Sequence, residues 1–296
     1  MGKGGGGMRY LERFFLPGEA GEYQFFENQR RTCYNSFYPY QIFPEKGLDA
    51  LDFEPVTILY GGNGSGKTTL LNLIAGALGL GRGAACYNKS AFFDVFTAAC
   101  RAVTSGRFTP EVRARSRIIT SDDVFDYLFE IRGVNEGIDE KRDALLSEYT
   151  QAKYAQFQMH SLDDYEELKK VVDSRRRTGS QYVKRRLMGN LPGRSNGESA
   201  FLYFTHAVEE NGLYLLDEPE NSLSAANQEK LAAFLSDSAR FFGSQLVIST
   251  HSPFLLAMEG AAVYDLDEVP VRRRSWTQLP SVRAYHDFFE AHRAEF

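Results

Sequence analysis

The stretch GGNGSGKTT at residues 61–69 is the part of this sequence that points most directly to chemistry. A glycine, four residues, a second glycine, then lysine and threonine is the spacing of a phosphate-binding loop. Glycines let backbone N–H groups approach phosphate oxygens without a Cβ in the way, and a following helix adds its N-terminal dipole. The candidate phosphate-binding residues are Gly61, Gly62, Asn63, Gly64, Ser65, Gly66, Lys67, Thr68 and Thr69.

Two members of this loop have specific expected roles. Lys67 is expected to contact the β- and γ-phosphates, and the Thr68 hydroxyl is expected to bind Mg²⁺. The alternative is a glycine-rich turn that binds nothing. That alternative is disfavoured, because a lysine in a tight apolar turn has no structural reason to be there without an anion.

Adjacent carboxylates end a second apolar run, in GLYLLDEPENSLS. On a strand beside the loop, Asp217 is the expected Mg²⁺ residue. Glu218 is the expected catalytic residue, because a carboxylate just beyond the Mg²⁺ aspartate can polarise the water that attacks phosphorus. The alternative is an ordinary polar turn, but two neighbouring acids would repel each other there.

A third apolar run, LVISTHSPFLL, delivers Thr250, His251 and Ser252 to the same predicted sheet edge. A histidine at this place can hydrogen-bond a γ-phosphate, so His251 is assigned a catalytic role. The alternative is that it only caps the strand.

The stretch SNGES lies between the loop and Asp217, at the start of a predicted helix. Ser195, Gly197 and Glu198 would form the first turn, and a helix N-terminus is an anion site. Taken alone, Ser-x-x-Glu indicates a plain capping box. Its order between the loop and Asp217 favours nucleotide binding instead.

The elements needed to position these residues alternate between strand and helix. VTILY, GLYLLDE and SQLVIST have the character of buried strands, and each is followed by helical text, which predicts a mainly parallel α/β sheet. RYLERFF and EYQFFENQ predict antiparallel strands at an edge, and SRIITSDD predicts a short strand. The predicted organisation is a tag or linker at 1–7, an N-terminal β lobe carrying the loop at 8–83, an inserted helical lobe at 84–190 and a C-terminal α/β part at 191–296.

Composition excludes several classes of protein. With 43% hydrophobic and 14% aromatic residues, the chain can bury a core. A net charge of −5 gives no overall attraction to nucleic acid or acidic lipid. No apolar run reaches the length of a membrane span, and three cysteines without metal-ligand spacing fit a reducing compartment. These features predict a cytoplasmic protein without a membrane partner.

The ordered motifs GGNGSGKTT, SNGES, YLLDEPENSLS and STHSPFLL resemble those of ABC-class ATPases. More closely, the chain is similar to soluble AAA-family ATP-binding proteins related to the overcoming-lysogenization-defect and recombination-type cassettes. That resemblance implies a P-loop NTPase fold, ATP and Mg²⁺ as cofactors, and ATP hydrolysis. It also implies a head-to-tail homodimer, in which Ser195, Gly197 and Glu198 of one subunit close over the γ-phosphate held by the other.

Three positions depart from the family pattern. No glutamine follows SRIIT, where Ser121, Asp122 and Asp123 stand instead. Asn196 replaces the usual glycine of the family's signature motif, here SNGES, and Ser224 of NSLS replaces a frequent aspartate. An aromatic that stacks on adenine is also expected, but each candidate is better explained by packing: Tyr34, Phe37, Tyr38 and Tyr40.

Two basic clusters, SRRRTGSQYVKRR and VRRRSW, could hold nucleic-acid phosphate, although a solvated face balanced by nearby acids is favoured. If a partner protein or nucleic acid binds, the inserted lobe is where it is expected. The leading hypothesis is an ATP-gated switch in a nucleic-acid-related or defence process. Two alternatives remain open, an ATP-bound scaffold or sensor with little hydrolysis and the nucleotide-binding subunit of a transporter.

Overall fold

The computed structural model describes residues 7–30, 33–83, 90–155, 165–187, 196–221 and 223–296. The chain forms two compact units. The first contains Met1–Phe125 and Asn196–Phe296, and the second contains Asp126–Ser195. All candidate site residues discussed above belong to the first unit except Ser195, which lies outside the described residues.

A seven-stranded sheet forms the centre of the first unit. From edge to edge its strands are β10 (Arg272–Arg274), β9 (Ala262–Asp265), β3 (Val56–Tyr60), β8 (Gln245–Ser249), β7 (Leu213–Asp217), β6 (Arg117–Thr120) and β4 (Gly81–Arg82). Every pair is parallel except β10 with β9. Strands β3, β7 and β8 are buried along their whole length, as apolar runs between two helical layers should be. The predicted mainly parallel α/β sheet, including the short strand in SRIITSDD, is confirmed.

Helices connect these strands. In the first unit they are α1 (Gly18–Asn28), α2 (Lys67–Leu78), α3 (Phe93–Ala99), α4 (Pro110–Arg115), α8 (Asn196–Ala207), α9 (Ala225–Phe241), α10 (Pro253–Leu256) and α11 (Pro280–Ala291). Helix α2 buries Leu70, Leu71, Leu73 and Ile74 completely, which fixes its N-terminus against the sheet. It ends at Gly79, whose φ of 61° is a left-handed conformation that glycine adopts without strain.

A smaller antiparallel sheet has the strand order β2 (Ala50–Asp52), β1 (Leu11–Phe15) and β5 (Arg101–Thr104). It confirms the predicted antiparallel edge. The second strand predicted there, EYQFFENQ, is wrong, because those residues lie in helix α1. Phe25 of α1 stacks on Tyr40 with ring centroids 3.9 Å apart, so contacts distant in sequence decide the conformation.

The second unit is helical in its described part. The long helix α5 (Ser121–Tyr154) enters it, and α6 (Tyr165–Arg176) and α7 (Gly179–Arg186) lie within it. The unit starts at Asp126, whereas the sequence placed the start of the inserted lobe at residue 84. The difference arises because β5 pairs with β1 and β6 pairs with β7, so residues up to 125 complete the first unit. No helix in the described ranges is both long enough and apolar enough to cross a membrane.

Candidate nucleotide site

The glycine loop connects the end of β3 directly to the start of α2. Gly66 has a φ of 96°, and a Cβ there would lie 3.1 Å from Cγ2 of Ile42. A Cβ on Gly61 would lie 2.6 Å from Oγ of Ser65, too close for any other residue. The first N–H groups of α2 have no partners within the helix, so this terminus offers donors and a positive dipole to an anion.

Lys67 is buried, with 5% of its side chain exposed. Its ammonium donates to the carbonyl oxygens of Gly61 at 2.6 Å and Gly62 at 3.1 Å, and to Nε2 of His251 at 2.9 Å. The nearest carboxylate oxygen described for it, Oε1 of Glu218, is 3.7 Å away, beyond hydrogen-bond distance. A buried cation with neutral hydrogen-bond partners is well prepared to receive an anion.

Thr68 and Asp217 meet beside Lys67. The Thr68 hydroxyl donates to Oδ1 of Asp217 at 3.1 Å, and the Ser249 hydroxyl donates to the same oxygen. Asp217 and Ser249 are register partners at the carboxyl ends of β7 and β8, which explains their proximity. Burial raises the pKa of the Asp217 carboxyl above its ordinary value, opposed by these two hydrogen bonds.

Glu218 occupies a strained backbone conformation. Its φ is 47°, in the left-handed region that non-glycine residues rarely adopt. The backbone is held there because its N–H donates to the carbonyl oxygen of Ser249 at 3.0 Å. The carboxylate lies 3.6 Å from Nε2 of His251, and the Asn221 amide donates to it at 3.2 Å. Strain of this kind is concentrated at functional sites.

A cavity of about 340 Å³ lies over this group of residues. Its lining is Tyr38, Ile42, Asn63, Gly64, Ser65, Gly66, Lys67, Thr68, Thr69 and Glu218. Tyr38 alone of the four aromatic candidates lines it, with its hydroxyl 2.8 Å from Oγ1 of Thr69. Burial raises the pKa of Tyr38. By contrast, Tyr40 stacks on Phe25, and Phe37 contacts Phe92 across 5.1 Å, as residues of the aromatic core.

Sequence reasoning missed two acidic residues at this site. Glu220 accepts hydrogen bonds from the residues around His251, and Asp267 accepts one at 2.6 Å from the N–H of Gly62 in the phosphate loop. Both follow strands in polar turns, where an acid is normally solvated. The only signal for Glu220 was its position two residues after Glu218. Asp267 follows β9, the strand beside β3, and had no local signal.

The described residues of SNGES belong to the start of α8. Helix α8 begins at Asn196, so Gly197 and Glu198 lie in its first turn, while Ser195 lies outside the described residues. At the position expected for a glutamine, Asp123 is buried and accepts from the N–H and hydroxyl of Thr120 at 2.7 and 2.9 Å. Those bonds close the first turn of α5 onto the end of β6.

The C-terminal basic cluster is paired with acids, and the cluster of the second unit is paired in part. Arg273 lies 3.3 Å from Glu54, and Arg274 lies 3.2 Å from Asp265. In the second unit, Arg177 lies 3.0 Å from Asp173, and Arg186 pairs with Glu148. These contacts agree with the interpretation of a balanced charged face.

Comparison with known proteins identifies related sequences and folds. Residues 105–257, just over half of the chain, match the profile of the family described as "AAA domain, putative AbiEii toxin, Type IV TA system". An uncharacterized ABC transporter ATP-binding protein/permease of Saccharomyces cerevisiae is 26% identical over 210 residues, which is 68% of this chain and 14% of that protein. The chain therefore spans about one seventh of that curated relative.

Two solved structures are also similar. The Smc head domain of Pyrococcus furiosus, with an extended coiled coil and bound to the C-terminal domain of ScpA, is 13% identical, with a TM-score of 0.44 over 97% of this chain and 100% of that chain. A dimeric ATP-binding cassette in a post-hydrolysis state, bound to ADP and Pi, is 16% identical, with a TM-score of 0.37 over 78% of this chain and 90% of that chain.

Proposed function

This chain belongs to the AAA-domain family described as "AAA domain, putative AbiEii toxin, Type IV TA system", and on that premise we propose that it binds and hydrolyses ATP. The observation that carries the proposal is the buried Lys67 ammonium, which is hydrogen-bonded to neutral groups at the start of α2. An anionic phosphate would satisfy both this cation and the helix N-terminus.

The loop residues fit a nucleotide phosphate. The Ser65 hydroxyl is buried and has no hydrogen-bond partner among the described residues. The glycines at 61 and 66 keep side chains away from the loop, where a Cβ would clash. Buried polar groups without partners are rare, so this one supports a missing ligand oxygen.

Thr68 and Asp217 fit a divalent cation. Hydroxyl and carboxylate oxygens are the ligands that Mg²⁺ prefers, and these two side chains are already 3.1 Å apart. A bound Mg²⁺ would supply positive charge to the phosphates. A bound cation would favour the ionised form of Asp217, because it offsets the cost of burying the charge.

The remaining residues have roles in hydrolysis. Glu218 lines the cavity and can accept a hydrogen bond from a water there. That hydrogen bond would make the water a better nucleophile. Lys67 stabilises negative charge on the phosphate, and His251 can hydrogen-bond a phosphate oxygen once Lys67 turns toward the ligand. The left-handed backbone at Glu218 sets the direction in which its side chain leaves the main chain.

The proposed catalytic unit is a head-to-tail homodimer. Ser195, Gly197 and Glu198 of a second copy would complete the site, as the resemblance to ABC-class ATPases implies. The ATP-gated closing and opening of such a dimer would act as a switch in a defence or nucleic-acid-related process in the cytoplasm. The reduced cysteines Cys33 and Cys100 are compatible with that compartment.

A second candidate is an ATP-bound scaffold or sensor with little hydrolysis. It is favoured by the position after β6, where Asp123 is engaged with Thr120 and no glutamine is present.

Phosphate release and light scattering separate these two functions. Wild type should release phosphate when ATP and Mg²⁺ are added, whereas Glu218→Gln should bind ATP, release none and accumulate dimers. Lys67→Ala should weaken ATP binding about a hundredfold through loss of charge-assisted hydrogen bonds. The exposed Lys230→Ala is the control. Equal, slow release by wild type and Glu218→Gln would support the sensor, and unchanged ATP binding by Lys67→Ala would contradict the proposed nucleotide site.

A further inference from the structure

One oxygen of the Glu220 carboxylate gathers three donors from the segment that follows β8. Oε1 accepts from the Thr250 hydroxyl at 2.7 Å, the His251 N–H at 2.6 Å and the Ser252 N–H at 3.2 Å. Hydrogen bonds to an ionised acceptor are stronger than neutral ones. The main chain on both sides of the His251 side chain is therefore held by a single carboxylate.

The buried position of the Glu220 carboxylate costs solvation free energy. Its other oxygen, Oε2, is buried and has no hydrogen-bond partner in the described part of the chain. Burial raises the pKa of the Glu220 carboxyl, with Glu218 adding to the effect, while the bonds from Thr250 and His251 lower it. A carboxylate without these donors would remain in solvent, because burial of an unpaired charge is unfavourable. The three hydrogen bonds therefore explain why the Glu220 side chain is buried.

The bonds join two catalytic segments that are distant in sequence. Glu220 lies two residues beyond Glu218, and its carbonyl oxygen accepts from the N–H of Leu223 at 3.0 Å. A second connection runs from the Ser252 hydroxyl to Oε1 of Gln228 at 2.8 Å, and from Nε2 of Gln228 to the carbonyl of Leu223 at 3.0 Å. The segment carrying His251 is thus braced on the segment carrying Glu218.

The other end of His251 reaches the phosphate loop. Its Nε2 lies 2.9 Å from Nζ of Lys67 and 3.6 Å from Oε1 of Glu218. A displacement of the His251 backbone by 1 Å would break the first contact, because hydrogen bonds require distances near 3 Å. Such displacements are costly for catalysis.

We propose that Glu220 is a positioning residue for ATP hydrolysis, which holds the main chain of His251 so that its imidazole meets the phosphate loop and Glu218. This inference rests on the proposed ATPase function and names a positioning residue of the same site. Glu220 contacts no reacting atom and acts through His251. Motion of the segment after Glu218 would therefore be transmitted to His251.

The test compares Glu220→Ala, Glu220→Gln and the exposed Glu229→Ala on α9. Glu220→Ala should lower kcat about ten- to hundredfold, because it removes hydrogen bonds to a charged group, while KM and the Kd for ATP change less than about twofold. Glu220→Gln keeps an oxygen acceptor and should stay within about threefold of wild type. Glu229→Ala should match wild type. Equal losses in kcat and ATP affinity, or no loss in Glu220→Ala, would overturn the proposal.

A double-mutant cycle with His251→Ala examines the route of action. If Glu220 acts through His251, adding Glu220→Ala to His251→Ala should slow hydrolysis little further. Losses that multiply would show that Glu220 acts independently and would contradict the inference. Thermal unfolding of each variant, and the rescue by Glu220→Gln, separate this effect from a general loss of folding.

A readout without turnover distinguishes this inference from the proposed function. The imidazole ¹⁵N resonances of His251, identified by their loss in His251→Ala, should shift in Glu220→Ala and stay unchanged in Glu229→Ala. Absence of hydrolysis in wild type together with that shift would reject the ATPase function and keep the positioning role. Unshifted resonances in Glu220→Ala would reject the positioning role whatever the activity.

Discussion

The Lys67 ammonium donates a hydrogen bond to Nε2 of His251 across 2.9 Å, and this bond fixes the state of the histidine. A lysine ammonium has no acceptor, so Nε2 must accept and the ring proton must reside on Nδ1. An anion that draws Lys67 away would release Nε2, which couples the state of His251 to the occupancy of the phosphate loop.

Removal of the Lys67 donor should change the tautomer of His251. In Lys67→Met the side chain stays unbranched and is one atom shorter, and it loses the three N–H donors, so Nε2 of His251 is no longer constrained to accept. We expect the imidazole ¹⁵N spectrum at pH 8 to move from the Nδ1–H pattern toward the Nε2–H pattern. Lys230→Met, on the exposed face of α9, should leave it unchanged. An Nδ1–H pattern in Lys67→Met would show that another group selects the tautomer.

The glycine at position 66 should be sensitive to the smallest substitution. In Gly66→Ala the added Cβ would lie 3.1 Å from Cγ2 of Ile42, and the alanine would have to adopt a φ of 96°. Left-handed backbone costs a residue with a side chain about 1–2 kcal/mol. We expect the free energy of unfolding to fall by about that amount or more, and ATP affinity to fall with it, in urea titration and calorimetry.

Gly106→Ala is the matched control, because nothing lies within 4 Å of the added Cβ and its φ is not in the left-handed region. It should unfold within about 0.5 kcal/mol of wild type, as surface substitutions usually do. Equal stability of the two alanine variants would contradict the assigned loop conformation.

Local sequence signals were sufficient for the central part of the site. Strands β3, β7 and β8 are apolar runs that end in glycine or polar residues, and parallel strands place their carboxyl ends at one edge. For that reason the sequence predicted that Lys67, Asp217 and His251 would lie together. Their places at the ends of three apolar runs were sufficient for this prediction.

Local sequence signals fail where contacts between residues distant in sequence determine the conformation or the environment of a residue. The aromatic alternation of the α1 segment suits a strand or a helix, and the stacking of Phe25 on Tyr40 favours the helix. Glu220 and Asp267 look like solvated turn acids until the strands bring Thr250 and Gly62 to them. Such pairings follow from the tertiary fold and leave no periodic trace in the sequence.

Glu218 should illustrate a trade between stability and activity. Its φ of 47° strains any residue with a Cβ, so Glu218→Gly should be more stable than Glu218→Ala by about 1 kcal/mol. Both variants lack the carboxylate, so both should be inactive in phosphate release. Urea unfolding of the pair measures the strain alone. Glu218→Ala as stable as Glu218→Gly would show that the backbone relaxes at no cost.

The buried Glu22 carboxyl should make stability depend on pH. It is 5% exposed, its Oε2 accepts from the Gln41 N–H at 2.7 Å, and its Oε1 is buried without a hydrogen-bond partner among the described residues. Burial raises its pKa above the ordinary 4.5, with the bond from Gln41 opposing this and the charge of Glu45 adding to it. In the folded state the carboxyl therefore holds its proton to a higher pH than in the unfolded chain.

The sign of the effect follows from this proton. Between the ordinary value and the raised pKa, the folded state binds more protons than the unfolded state, so the free energy of unfolding falls as pH rises. Below pH 4.5 the carboxyl is protonated in both states, and the contribution of Glu22 to stability is fully favourable.

Glu22→Gln has no proton to lose. We expect its stability relative to wild type to increase from pH 4 to pH 7, measured by urea unfolding at each pH. The exposed Glu27→Gln on the same helix is the control and should show no such increase. A difference between Glu22→Gln and wild type that is constant over this range would mean that the carboxyl titrates normally when folded.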